Sequence, residues 1–369
     1  MIKKYLLTGF VGALCVLSVF AETRSTFTGI RSMGMGGANL ANADDASAML
    51  VNPACLDMYM EHMHLSVNFG LYVSPSVLDL LSFVTNHSKK LTSTDGLKSL
   101  DKQFYDDLYS IDGKWSTVGL LPNAGFMART LGFTYGASYY WTVPTRVMIE
   151  SGVLVPKIFI GTQMDQVFTA SMCRRLMKVL AVGASFKWID RYIVDDIALG
   201  YTQTLEFVDR FNNDMMSAID PLLTHKYGPG FDIGGLFYFG GIRAAATIQD
   251  VFAYIGEDFL SPRFNVGMAY KILPLMEYNF IDDASATFEL HNVFRHANFF
   301  TKINTGAEIR LTNFDFRMGL NQGYPTLGMS LYYFIFHLDY LWYAEELGLY
   351  VNDSPLSYHF IQLGADIKF

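Results

Sequence analysis

His62 and His64 stand two residues apart, a spacing that puts two imidazoles on one face of a strand. Zinc needs three or four protein ligands, and no third falls in a matching position. Serine, histidine and aspartate all occur, but there is no Gly-x-Ser-x-Gly elbow and no His-Glu-x-x-His helix. Of three cysteines, Cys15 falls in an apolar leader. Cys55 and Cys173 remain, with their pairing open, too few for a disulfide framework or a thiolate cluster. A formal net charge of -8 opposes a polyanion-binding surface. The chain is therefore expected to be no enzyme, to use no metal or cofactor, and to have no nucleic-acid partner.

What stands out instead is the stretch 29–56. Gly34, Gly36 and Gly37 lack Cβ and permit close backbone approach or positive φ. Small residues follow, with the acidic pair Asp44 and Asp45 among them. Asn52-Pro53-Ala54 then makes a turn, because proline fixes its own φ and pushes the residue before it out of the helical region. So few large apolar anchors make a poor core of their own. The segment suits packing inside something wider.

The wider element follows from composition. Residues 1–21 read as a secretory signal: Lys3 and Lys4, an apolar run, then Ser18 and Ala21 as the small residues before cleavage. The bulky Leu14 before Cys15 argues against a lipoprotein. The chain is 51% hydrophobic and 15% aromatic. Beyond the leader, however, no stretch offers the ~18 uninterrupted apolar residues of a membrane helix. Only helices and closed barrels satisfy the backbone in lipid, so the composition points to a barrel. Period-2 alternation agrees. Phe314, Phe316, Met318 and Leu320 alternate with Asp315, Arg317 and Gly319, and Ile309 and Leu311 alternate with Glu308 and Arg310. Phe133, Tyr135, Phe314 and Phe316 are thus assigned to lipid, and Glu308, Arg310, Asp315 and Arg317 to the lumen. On those faces, Phe316→Arg should impair assembly more than Arg317→Phe.

Short links are expected at Arg129-Thr130, around 174–177, at Gly240-Gly241, from Leu273-Pro274 onward and at Thr312-Asn313. Long insertions fall at 73–114 and 194–227. This is the asymmetry of membrane barrels, and the partition gives about fourteen strands. Two long loops show helical spacing: Val77, Leu80, Leu81 and Val84 in one, and Leu205, Val208, Met215, Ile219 and Leu222 in the other. Such faces either pack the loops together or offer an apolar landing site. The last strand alternates to a terminal Phe369, which resembles the signal read by the outer-membrane barrel assembly machinery.

Gly34-Met35-Gly36-Gly37-Ala38, Ala43-Asp44-Asp45-Ala46 and Asn52-Pro53-Ala54 resemble the N-terminal hatch of the FadL family of long-chain fatty acid transporters. Leu121-Pro122-Asn123, Gly132-Phe133 and Gly136-Ala137-Ser138 resemble its second and third strands. The resemblance implies an all-β chain: a fourteen-stranded transmembrane antiparallel β-barrel with an N-terminal hatch in its lumen and helical outer loops. It implies a signal over 1–21, a hatch over 22–60 and a barrel over 61–369, in the bacterial outer membrane and in contact with its lipid. It also implies passive carriage of a long-chain fatty acid or another amphiphile, with a lateral opening in the wall for which Pro122, Gly132 and Gly136 are rival positions. Cys55 stands where many relatives have a different ending to the Asn-Pro-Ala motif. The same motifs resemble the PorV-like branch, which implies a scaffold for protein secretion or surface attachment instead.

Overall fold

The computed structural model describes residues 27–59, 62–91, 101–150, 157–199, 222–295, 297–346, 350–353 and 355–369. The leader, and Leu205 to Ile219 of the second helical face, lie outside these residues.

The strands are β1 (Met63–Val73), β2 (Ser116–Thr130), β3 (Phe133–Glu150), β4 (Lys157–Met177), β5 (Leu180–Leu199), β6 (Thr224–Phe239), β7 (Ile242–Val251), β8 (Ala253–Ile255), β9 (Asp258–Leu260), β10 (Arg263–Lys271), β11 (Ile281–Leu290), β12 (Ile303–Leu311), β13 (Phe314–Asn321), β14 (Tyr324–Tyr333), β15 (Phe336–Glu346) and β16 (Pro355–Lys368). All but β8 and β9 form one closed wall of fourteen strands, each antiparallel to the next in sequence, and β16 returns to pair with β1. Closure leaves no edge to hydrate, which is what lipid demands. Alternation does the rest. Phe314, Phe316, Met318 and Leu320 on β13 are exposed outward, while Asp315, Arg317 and Asn321 are buried inward. On β5, Phe186 and Trp188 face out and Ser185 and Lys187 face in. A closed wall that is apolar outside and polar inside is the wall of a membrane-spanning barrel.

Some turns differ from the sequence expectation. The link expected at Arg129-Thr130 is at Leu131-Gly132, where both residues have positive φ (51° and 78°). Two such residues match the twist of a tight hairpin, so the strand runs on until Gly132 permits the turn. The link expected around 174–177 is at Lys178-Val179. Opposite these turns the rim carries most of the longer links, with two departures: Gln322-Gly323 there is tight, and the link expected to be short from Leu273-Pro274 onward spans 272–280 with a 3-10 turn over Leu273–Glu277.

The first long loop is helical over Ser76–Leu91 and Lys102–Ile111. Its packed face differs from the expected one. Phe83 is the buried anchor, meeting Phe104, Leu108 and Ile111 with Leu80 alongside, whereas Leu78, Leu81 and Val84 are exposed. The short hairpin β8–β9 turns its Ala253, Ile255 and Leu260 into the barrel interior, against β6.

Candidate functional site

Residues 27–59 lie inside the lumen and are almost wholly buried there. They fold as two short helices, Ile30–Gly34 and Ala48–Val51, and a 3-10 turn over Pro53–Met58. A chain this rich in small residues brings backbone, not side chains, to the wall, and the wall supplies the side chains that satisfy it. Thr326 donates to the Gly34 carbonyl (3.1 Å), Asn304 to that of Gly36 (2.5 Å) and Thr287 to that of Ala38 (2.9 Å). Gln249 donates to the carbonyls of Leu50 and Val51 (3.0 Å each). Gly36 (φ 65°) and Gly37 (φ 78°) take the left-handed turn that follows the first helix. Asn52 holds the second turn: its amide donates to the Leu40 carbonyl (2.9 Å), and its oxygen accepts the N–H of Ala54 (3.0 Å), one residue past Pro53. Cys55 and Cys173 are both free, buried thiols; Cys173 donates to the Ala54 carbonyl and Cys55 to that of Leu40.

The acidic pair meets arginines. Asp44 pairs with Arg31 (2.5 Å) on its own segment and with Arg310 (2.7 Å) on the wall, and Asp45 pairs with Arg31 at 3.2 Å. Burial alone would raise the Asp44 pKa; Arg31 and Arg310 outweigh it and hold this carboxyl well below the usual range. Around them lies a network with no signature in sequence spacing. Glu308 accepts from Arg31, Arg310 and Arg317 at 2.7–3.1 Å, and Arg317 also pairs with Asp315 (2.7 Å) and donates to Ser330 (2.6 Å). Ser330 donates to Asp339, which is paired with His337 (2.8 Å). His64 ends the chain on Asp366 (2.9 Å), while His62 is exposed. Among the described residues no three His, Cys, Asp or Glu side chains are grouped to hold a metal.

Wall glycines make the notches that receive this segment. A Cβ on Gly319 would stand 2.5 Å from the Thr305 carbonyl and the Met35 carbonyl carbon, and one on Gly183 would stand 2.5 Å from the Ala54 nitrogen. Isolated glycines inside alternating strands are the sequence signal for such close approach. Toward the outer rim the lumen changes character. Tyr72, Leu121, Tyr140, Ile189, Leu341 and Phe360 of the wall meet Phe27, Ile30 and Met33 from below, and Ala253, Ile255 and Leu260 of the inward hairpin. Tyr72 stacks on Phe360, with centroids 4.8 Å apart, and meets Tyr358 edge-on at 5.5 Å.

No protein-family model matches this chain, and no curated protein matches it. Solved structures do. The toluene transporter TbuX of Ralstonia pickettii superposes with a TM-score of 0.57, over 92% of this chain and 98% of that one, at 14% identity. The Pseudomonas putida toluene transporter TodX gives 0.54 over 94% and 98%, at 10% identity. The monoaromatic hydrocarbon channel CymD gives 0.51 over 92% and 97%, at 13% identity. These are FadL-family barrels. The chain has the FadL-like fold.

In this FadL-like barrel the three positions named for a wall opening lie in different settings. Gly132 is in the rim turn, with open space around it. Gly136 sits in a continuous ladder, where its missing Cβ makes room for Met49 of the inner segment. At Pro122 the ladder is broken: β2 pairs with β3 at Leu120↔Val143 and again at Asn123↔Tyr140, skipping Leu121 and Pro122. Beside it a second break skips Val143 and Pro144 between β3 and β4. Each break holds a proline, which has no N–H to give. Trp141, facing the first break, has a buried indole nitrogen without a hydrogen-bond partner. Pro144 was as visible in the sequence as Pro122, and only the register of β3 against β4 gives it meaning.

Proposed function

We propose that this protein is a passive outer-membrane channel for hydrophobic small molecules, with residues 22–60 as its hatch. One observation carries the reading: among the described residues, an aromatic-rich apolar region of the lumen lies between the inner segment and the outer rim, apart from the paired charges and from the small-residue cluster beneath the inner segment. An apolar molecule gains there by leaving water. Long-chain fatty acids, named by the sequence resemblance, are one such class, and the monoaromatic hydrocarbons of the structural neighbours are another. Aromatic side chains on both sides of the region suit a compact ring at least as well as a long tail. The hatch is pinned by hydrogen bonds from many wall strands, so the less costly way out is sideways, through the paired breaks at Pro122 and Pro144. Phe369, closing the last strand, serves recognition by the barrel assembly machinery in this reading.

Cells expressing the barrel should take up radiolabelled toluene faster than cells carrying the empty vector. Uptake should fall several-fold when cysteines replacing Leu121 and Thr142 are cross-linked across the break. Uptake no faster than the vector control would remove the channel reading. Faster uptake that ignores the cross-link would remove only the sideways exit.

A further inference from the structure

Among the described residues, the inward carboxylates of this barrel are paired or hydrogen-bonded, with one exception. Glu289 accepts from the Leu40 N–H and pairs with His291, and Glu308 has three arginines. Asp165 pairs with Arg191, Asp232 and Asp250 with Lys187, and Asp339 with His337. Glu345 has nothing comparable. It lies on β15 two residues beyond Tyr343, so the two share the inward face, and it is only 8% exposed. Among the described residues its carboxylate makes no hydrogen bond and no ion pair. Its neighbours are rings: Tyr343 shares its inward face, Tyr358 pairs across from Tyr343 on β16, and Tyr358 meets Tyr72 edge-on at 5.5 Å. Tyr343 is already engaged with Asn321 (2.9 Å). Arg146, the cation nearest Tyr358 in effect, stacks over Trp115 with its guanidinium carbon 5.0 Å from the ring centre.

A buried carboxylate without a partner is costly, and protonation does not cure it, because the neutral acid carries an O–H that also needs an acceptor. Something that enters this place would complete it. A carboxylate beside stacked tyrosine and phenylalanine faces is complementary to an organic cation: charge and N–H donors for the carboxylate, ring quadrupoles for the rest. It opposes an anion, whose charge would face Glu345 across a medium of low dielectric.

We infer that Glu345 and the aromatic side chains around it form a subsite for apolar molecules bearing an ammonium group, such as aryl or alkyl amines. The inference rests on the channel reading above and narrows its substrate class. The subsite selects amines over hydrocarbons of the same size and rejects carboxylates.

The test uses the full-length protein in mild detergent and three radiolabelled probes of one body: toluene, benzylamine and benzoate. Equilibrium dialysis at pH 7 should give benzylamine an affinity about tenfold to a hundredfold above toluene, the range of a charge-assisted hydrogen bond, with benzoate weakest. Glu345→Gln should bring benzylamine down to the toluene level and leave toluene unchanged, with heat-modified gel mobility reporting a folded barrel. The comparison among probes on the parent needs no variant and decides the matter even if that variant does not fold. Toluene binding with no preference for benzylamine overturns the subsite and leaves the channel reading standing. Failure of all three probes to bind removes both. A preference that survives Glu345→Gln overturns the role of this residue.

Discussion

Phe316 and Arg317 are neighbours in the chain and opposites in environment. Phe316 faces lipid, and an arginine there should cost about 2–4 kcal/mol near the bilayer midplane. From the alternation alone, the reverse change at Arg317 looks milder, because a lumen tolerates many side chains. The structure alters that expectation. Arg317 is buried against Glu308, Asp315 and Ser330, so Arg317→Phe leaves carboxylates short of their partner. Breaking one side of a buried pair costs about 3–5 kcal/mol. Arg31 and Arg310 still serve Glu308, but among the described residues Asp315 keeps as hydrogen-bond donor only the Tyr332 hydroxyl, at 2.9 Å. Both variants should therefore lower the yield of heat-modifiable barrel by similar factors. A parental yield for Arg317→Phe would mean that the network does not support assembly. The outward role of Phe316 was legible in its spacing. The partners of Arg317 were not: Arg31 and Glu308 are 277 positions apart, and no local pattern links them.

At the scale of elements, the strands were legible and their inner surface was not. Alternation marks a strand because one face meets lipid and the other does not, and the wall obeys it along β13 and over 181–192 of β5. Helical spacing placed the first loop helix directly after Ser74-Pro75 but caught its packed face only in part: Leu80 packs, whereas Leu81 and Val84 have the right period and are exposed. Phe83 packs inward instead because the rings of the second helix await it: Phe83 and Phe104 have centroids 5.3 Å apart. The inner segment was recognisable by its glycines, but the matching wall glycines read as ordinary strand positions. The fit between the two sets gives a prediction. Gly36 has φ 65°, and a Cβ there would stand 2.5 Å from the Thr305 carbonyl and 2.6 Å from that of Leu320. Gly36→Ala and Gly319→Ala should each loosen the segment by about 1–3 kcal/mol, the usual cost of overpacking. Gly132→Ala, in the open rim turn, meets no neighbour. Hydrogen exchange of amides 30–59 should accelerate in the first two variants and stay parental in the third. Equal protection in all three would mean that the notches do not hold the segment.

At the scale of the whole molecule, two structures with separate sources of stability are nested. The wall closes through its own ladder, with β1 paired to β16 from His64↔Lys368 to Val73↔His359, and none of those backbone bonds involves the inner segment. The inner segment pairs Arg31 with Asp44 and Asp45 and holds its own turns through Asn52, but it also relies on the wall, through Glu308, Arg310, Asn304, Thr287, Thr326 and Gln249. Deleting residues 25–58 should therefore leave insertion intact. It should also strip Arg310, Asn304 and Gln249 of partners that only water can replace. A lumen lined with such groups hydrates and conducts small polar solutes. Proteoliposomes holding the deleted barrel should swell in an isotonic small-sugar solution, and those holding the parent should not. The inward hairpin of β8 and β9 is the rival closure, since its Ala253, Ile255 and Leu260 also reach the lumen. A deleted barrel as tight as the parent would assign closure to that hairpin and its neighbouring loops, and residues 27–59 would then be a lining of the channel and not its plug.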